Sequence, residues 1–269
     1  MGMTITTRER TLKIGFGASL LFILGTLAIS TGFIIRFGID FPAIQQLPTS
    51  IEAMIAGLTA IAVCMVASVI ITGFMALRNG KTASAELFFF TVWAFCLGFE
   101  ALRIFSLGFI IFNASIGPMV LVTRLVMFGR YLGLLSLFMG SILAVGFRQE
   151  RMSAVLSAAF LLALFFSSVQ PVNSGVLAPD FLIDRGFGFL MSLFDSALIA
   201  MTLANYLVAW RMNRDTAFLA SGAGLALCVL AYLLLRSNHS PWFILPALVI
   251  LAIGAWLHIK SMNGYYLWR

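Results

Sequence analysis

Eight long apolar stretches, at roughly 14–35, 51–77, 87–109, 118–146, 153–171, 186–210, 216–235 and 241–259, decide what this chain can become. A helix rises about 1.5 Å per residue, so about 20 apolar residues cross the ~30 Å hydrocarbon core of a bilayer. Lipid offers no partner to backbone N–H and C=O groups, and the stretches are continuous rather than alternating, so each is read as a helix and not as a barrel strand. The expected fold is all-α, a single transmembrane domain over 1–269 built from eight helices. Composition agrees, with 61% hydrophobic and only 10% charged residues and a mean hydropathy of +1.05, where soluble domains carry about a quarter charged residues.

The net charge of +7 invites a nucleic-acid reading, but the bases gather at helix ends and not in a patch, so no nucleic-acid partner is expected. Their placement instead orients the chain. Arg8, Arg10 and Lys13 precede the first span; Arg78, Lys81, Arg148, Arg151, Arg211 and Arg214 mark alternate loops; Lys260 and Arg269 follow the eighth span. The opposite loops hold Arg36, Arg185 and Arg236 beside Asp40, Asp180 and Asp184. By the positive-inside rule both termini are expected in the cytoplasm, in a bacterial inner membrane. The first span also resembles a signal sequence, with Ala28-Ile29-Ser30 as a loose cleavage match, but its length of about 22 residues favours a retained anchor.

Six of the seven prolines fall in or beside outer loops, and only Pro246 enters a span. Helices free of internal proline are expected to run unbroken, which weighs against the discontinuous helices of many secondary transporters. The three inner hairpins share a pattern of Arg, a second base and then Ser or Thr before Ala, which topology and helix capping both demand. Small residues from Ala217 to Ala226, and Gly129 with Gly133, mark close helix contacts within the bundle.

Five charges lie inside apolar spans: Glu100, Arg103, Arg124, Arg130 and Asp195. A charge at such depth costs several kcal/mol, so it pairs inside the bundle or lines a hydrated cavity. Counting helical rise from the loop ends places Arg130 about 18 Å and Asp195 about 15 Å below the outer surface. Depth therefore pairs Arg130 with Asp195, and Glu100 with Arg103 or Arg124. Three bases against two acids leave an excess positive charge, which suits a small anionic ligand such as a carboxylate or phosphate. The competing reading is an ion-pair cluster that fixes helix register and binds nothing. Ser192 and Asn205 are secondary polar candidates on the sixth span, the serine as a hydroxyl that bonds its own backbone or a neighbouring helix and the asparagine as an interhelical hydrogen bond.

Catalytic patterns are absent from the sequence: no G-x-S-x-G, H-E-x-x-H or phosphate-binding loop occurs, and His239 and His258 lie at other depths than the buried charges. Cys64, Cys96 and Cys228 are widely spaced packing residues, so neither metal nor cofactor is expected. The sequons Asn113-Ala114-Ser115 and Asn238-His239-Ser240 lie too near the membrane edge to count as glycosylation sites. The leading expectation is a non-enzymatic inner-membrane protein, a sensor or receptor-like module or a subunit of an assembly. Its partners would be membrane lipids, a membrane or cytoplasmic protein and a small anionic ligand. A small transporter or channel using Arg130 and Asp195 is the alternative, and a membrane-embedded enzyme comes third.

Overall fold

The apolar spans fold as continuous helices in the computed structural model, which describes residues 5–37, 51–78, 84–111, 115–146, 152–178, 180–237 and 241–267. The helices are α1 (Ile5–Phe37), α2 (Ile51–Arg78), α3 (Ala85–Leu97), α4 (Arg103–Ile111), α5 (Ile116–Ala144), α6 (Met152–Val169), α7 (Gly188–Asn213), α8 (Thr216–Ser237) and α9 (Ile244–Leu267). A 3-10 turn, Gly98–Leu102, joins α3 to α4 as one span. Among the described residues, eight such stretches are long and apolar enough to cross a membrane. The chain is an all-α bundle and a polytopic integral membrane protein. Asp40, the prolines at 42 and 48, the loops around Lys81 and Arg148 to Arg151, and most of both sequons lie outside the described residues.

Helix α5 runs through the bundle, packed by α3, α6 and α7, and most of its length is buried. The small residues on it explain that position. A Cβ at Gly129 would stand 2.6 Å from the Phe99 Cβ, and one at Gly133 would stand 3.2 Å from the Trp93 ring. Only glycine allows α5 this close to the third span. The α8–α9 pair is closer still: a Cβ at Gly254 would meet the Gly224 carbonyl at 2.7 Å and the Cys228 nitrogen at 2.9 Å. The small-residue face of α8 thus serves packing inside this chain. Ser19 of α1 meets Thr72 of α2 at 3.2 Å, while Leu21 and Leu24 of α1 point outward.

Two sequence expectations need correction. The proline rule implied unbroken spans, yet the third tightens into the 3-10 turn Gly98–Leu102 without proline. The turn brackets Glu100, whose carboxylate is gripped by three side chains described below, and such mid-helix tightening accompanies local strain or a hinge. Pro246 and Pro118 lie in the first turns of α9 and α5, where a missing N–H breaks no helical bond.

The connection between α6 and α7 was read as a plain outer loop. It forms a small antiparallel hairpin, β1 (Val172–Leu177) with β2 (Ile183–Arg185), in register at Val172 with Arg185 and Asn173 with Asp184. Its tip is closed by the Ala178 N–H donating to the Leu182 carbonyl at 2.8 Å, and Phe181 takes a left-handed φ of 64° there. Phe181, Leu182 and Ile183 are all buried. The hairpin folds back onto the bundle because these three apolar side chains in a row have nowhere else to leave water.

Candidate functional site

Close approach of α5 to the third span sets up the first group of charges. With Phe99 against Gly129, the next residue along each helix meets its counterpart, and Arg130 grips Glu100 in two parallel bonds. Arg130 Nε donates to Glu100 Oε1 at 2.8 Å and Nη2 to Oε2 at 2.9 Å. Arg103, one turn along, adds Nη1 to Oε2 at 3.1 Å, and the Tyr232 hydroxyl of α8 donates to Oε1 at 2.8 Å. Bidentate arginine–carboxylate pairs of this kind are the strongest side-chain hydrogen bonds. Glu100 and Arg103 are 2% and 1% exposed, so the pairing is what permits the charges to stay in the bundle at all.

The hairpin completes this group. Asp180 Oδ2 accepts from Arg130 Nη1 at 2.9 Å, and its carbonyl accepts from Arg103 Nε at 2.8 Å. Ile183 N–H donates to Thr123 Oγ1 at 3.2 Å, and the Arg103 guanidinium stands 5.9 Å from the Phe181 ring. Burial raises the Asp180 carboxyl, but Arg130 and then Arg103 outweigh it and hold the group below the ordinary carboxylate range. Two acids, Glu100 and Asp180, face two arginines, Arg103 and Arg130, and the group is neutral.

Asp195 belongs to a different group. Its Oδ2 lies 3.5 Å from Arg185 Nη1 on the hairpin and 3.7 Å from Arg236 Nη1 on α8. Its Oδ1 is buried and has no hydrogen-bond partner among the described residues. The expected Arg130–Asp195 pair is therefore replaced by Arg130 with Glu100 and Asp180. Depth arithmetic gives height along a helix but not the direction a side chain faces, and it left out acids carried inward by a loop. Arg124 is also placed elsewhere. It donates to the Ser167 carbonyl at 3.2 Å and to the Ser168 carbonyl, in the last turn of α6, where carbonyls lack intrahelical partners. Of the five sequence candidates, Glu100, Arg103 and Arg130 come together, while Asp195 stands beside them and Arg124 apart.

Between the two groups lies a cavity of about 450 Å³. Its charged walls are Arg130, Asp180, Asp184, Arg185, Asp195 and Arg236, and Ser192 and Ser196 line the α7 side. Ser192 donates to the Phe189 carbonyl at 2.9 Å and Ser196 to the Ser192 carbonyl at 2.8 Å, so both hydroxyl protons are used within α7. Asn205 is remote from the cavity and donates to Ser141 Oγ of α5 at 3.0 Å, an interhelical bond. Close by, the Tyr131 hydroxyl donates to Gln170 Oε1.

Sequence reasoning passed over Tyr232, Asp180, Arg185 and Arg236. The last three were counted only as loop charges for orientation. A usable signal was present in Asp180-Phe181-Leu182-Ile183-Asp184-Arg185, where an apolar triplet flanked by charges demands burial that a solvated loop does not provide. Tyr232 and Arg236 stand one turn apart on α8 and so share a face. Glu86 is a further buried acid, at the other end of the bundle, accepting from Ser84 Oγ at 2.9 Å and from the Tyr266 hydroxyl at 2.9 Å. His258 meets Ser221 Oγ at 2.7 Å there, packed against Phe90. Among the described residues no three His, Cys, Asp or Glu side chains gather as a metal site. In comparison with known proteins, no family model matches the chain and no curated protein does so either.

Proposed function

We propose that this membrane protein is a receptor-like module or assembly subunit whose outer cavity binds a small ligand through a carboxylate or phosphate group. The observation that supports this is the looseness of the second charge group. Arg185 and Arg236 approach one oxygen of Asp195 at 3.5 and 3.7 Å, whereas Glu100 is held at 2.8–3.1 Å. The two guanidiniums retain donors for a planar or tetrahedral anion. The unpartnered Asp195 Oδ1, with Asp184 on the same wall, favours a ligand that also carries a hydroxyl or ammonium donor. The neutral Glu100 group forms the rigid wall against which such a ligand rests.

The test is a thermal-shift and calorimetric screen of the purified protein against small carboxylates and phosphates. A binder is expected to lose at least about tenfold in affinity in Arg236→Gln or Arg185→Gln, a loss of about 1.4 kcal/mol. Anions that bind equally well to both variants would remove the cavity from consideration.

A second reading, a small transporter or channel, draws support from the 3-10 turn Gly98–Leu102, an interruption in a span at the very acid that anchors the site. Exchange in proteoliposomes separates the two: a receptor binds without flux, while a transporter moves the bound anion and slows in Asp195→Asn. The same proposal places the ends of α2 and α7 that carry Arg78 and Arg211 on the cytoplasmic side of a bacterial inner membrane, with a membrane or cytoplasmic protein as the partner that receives the signal. Labelling of single cysteines from either side tests the orientation, and gentle co-purification tests the partner.

A further inference from the structure

A second concavity lies on the lipid-facing side of the bundle, between α2 and α9, with a volume of about 990 Å³. Its floor is buried and apolar, formed by Ala67, Ile71, Leu251 and Ala255, and its walls are the exposed Val66, Ile70, Leu248 and Trp256. Polarity is confined to one end, where Arg78 and Lys260 line the mouth together with Asn263 and Tyr266. Each cation rests on an aromatic ring: Lys260 Nζ lies 4.5 Å from the Trp256 ring centroid and the Arg78 guanidinium 5.5 Å from that of Phe74. Among the described residues no Asp or Glu lines the groove. Tyr266 at the mouth donates to Glu86 at 2.9 Å, and Asp215 lines a neighbouring pocket that shares Lys260 and Trp256 with the groove.

We propose that this groove seats one anionic phospholipid, its phosphate on Arg78 and Lys260 and an acyl chain along the floor. The polarity pattern fits that occupant: two positive charges at one end of an otherwise apolar trough match a molecule with an anionic head and a hydrocarbon tail. Length agrees as well. From Val66 to Arg78, and from Leu248 to Lys260, the helices rise about 18 Å, slightly more than the ~15 Å of hydrocarbon in one leaflet. A helix of another protein, its backbone bonded internally, would match the apolar floor but not the two cations at the mouth, whereas an anionic phospholipid matches both. The aromatic rings fix the two cations at the depth of the headgroups instead of letting them extend into water.

The experiment is native mass spectrometry of the full-length protein in mild detergent, titrated with dioleoylphosphatidylglycerol or dioleoylphosphatidylcholine. The wild type is expected to prefer phosphatidylglycerol. Arg78→Gln with Lys260→Gln is expected to weaken that lipid by about thirtyfold, since each basic group near a membrane surface contributes about one factor of five to an anionic lipid. Binding of phosphatidylcholine should be unchanged by that pair. Ala252→Trp, which fills the groove without touching a charge, is expected to weaken both lipids. Equal affinity of the wild type for the two lipids overturns the proposal, whatever the variants do. So does a double variant of native helicity that keeps the preference. A dimer that persists on dilution and is lost in Ala252→Trp would also overturn it, because the trough would then be a seam between copies of this chain.

Discussion

Replacing Glu100 by Gln keeps the shape of the side chain and removes one charge from a neutral group of four. In the native protein Glu100 and Asp180 balance Arg103 and Arg130, and Glu100 receives two bonds from Arg130 and one each from Arg103 and Tyr232. After Glu100→Gln, two buried guanidiniums share the single carboxylate of Asp180. Breaking a buried ion pair from one side costs about 3–5 kcal/mol, because the remaining charge stays desolvated. For a chain of this size, each kcal/mol lowers the unfolding temperature by about 2–4 °C, so a loss of about 6–20 °C is expected. The assay is thermal unfolding in detergent, followed by the loss of the monodisperse peak on size exclusion. The decisive comparison is the double variant Glu100→Gln with Arg103→Gln, which returns the group to neutrality. It should recover at least half of the loss, although it lacks more native bonds than the single variant does. A single variant that shifts by less than about 2 °C, or a double variant whose losses simply add, would refute the view that uncompensated charge dominates here.

Gly129→Ala should cost about 1–3 kcal/mol, since the added methyl stands 2.6 Å from the Phe99 Cβ and forces α5 away from Glu100; thermal unfolding checks this, and an unchanged midpoint would mean that α5 yields without loss. Acidification should loosen the hairpin through Asp180. Its carboxyl is held below the ordinary value of about 3.9 by Arg130, so its contribution is complete above that value and is lost as pH falls through the depressed one. Unfolding temperatures compared between pH 7 and pH 3 should fall more steeply in the native protein than in Asp180→Asn, and parallel profiles would dismiss Asp180 as the source.

The spans were legible because hydropathy over about 20 residues overrides every local signal, and because lipid leaves helices as the solution for continuous apolar runs. Charges inside those spans also pointed to the right helices, since their cost in lipid makes them rare. Pairing was legible only within one span, where Glu100 meets Arg103 one turn along. Arg130 and Asp195 line one cavity, but which acid meets which base depends on helix rotation and on the approach allowed by Gly129. The hairpin was missed for a related reason. Its strands are short, and Asp180 and Arg185 looked like ordinary loop charges until Phe181 to Ile183 drew them against the bundle. Arg124 was misassigned because the last carbonyls of a helix are invisible as partners in a sequence.

The pairing of Glu100 with Arg103 one turn away on the same span bears on how the chain enters the bilayer in the first place. Tyr232 and Asp180, which complete the native group, are synthesised long after the third span has left the ribosome. Until then the acid must be carried into lipid by a helix that has no neighbour holding its counter-charge. An arginine three residues along supplies that counter-charge from within, so the third span can be inserted as a self-neutralised segment. Arg130 later takes over the carboxylate when the fourth span arrives. The bond at 3.1 Å, the longest of the four on Glu100 in the finished bundle, is the one among them that joins two residues of a single span.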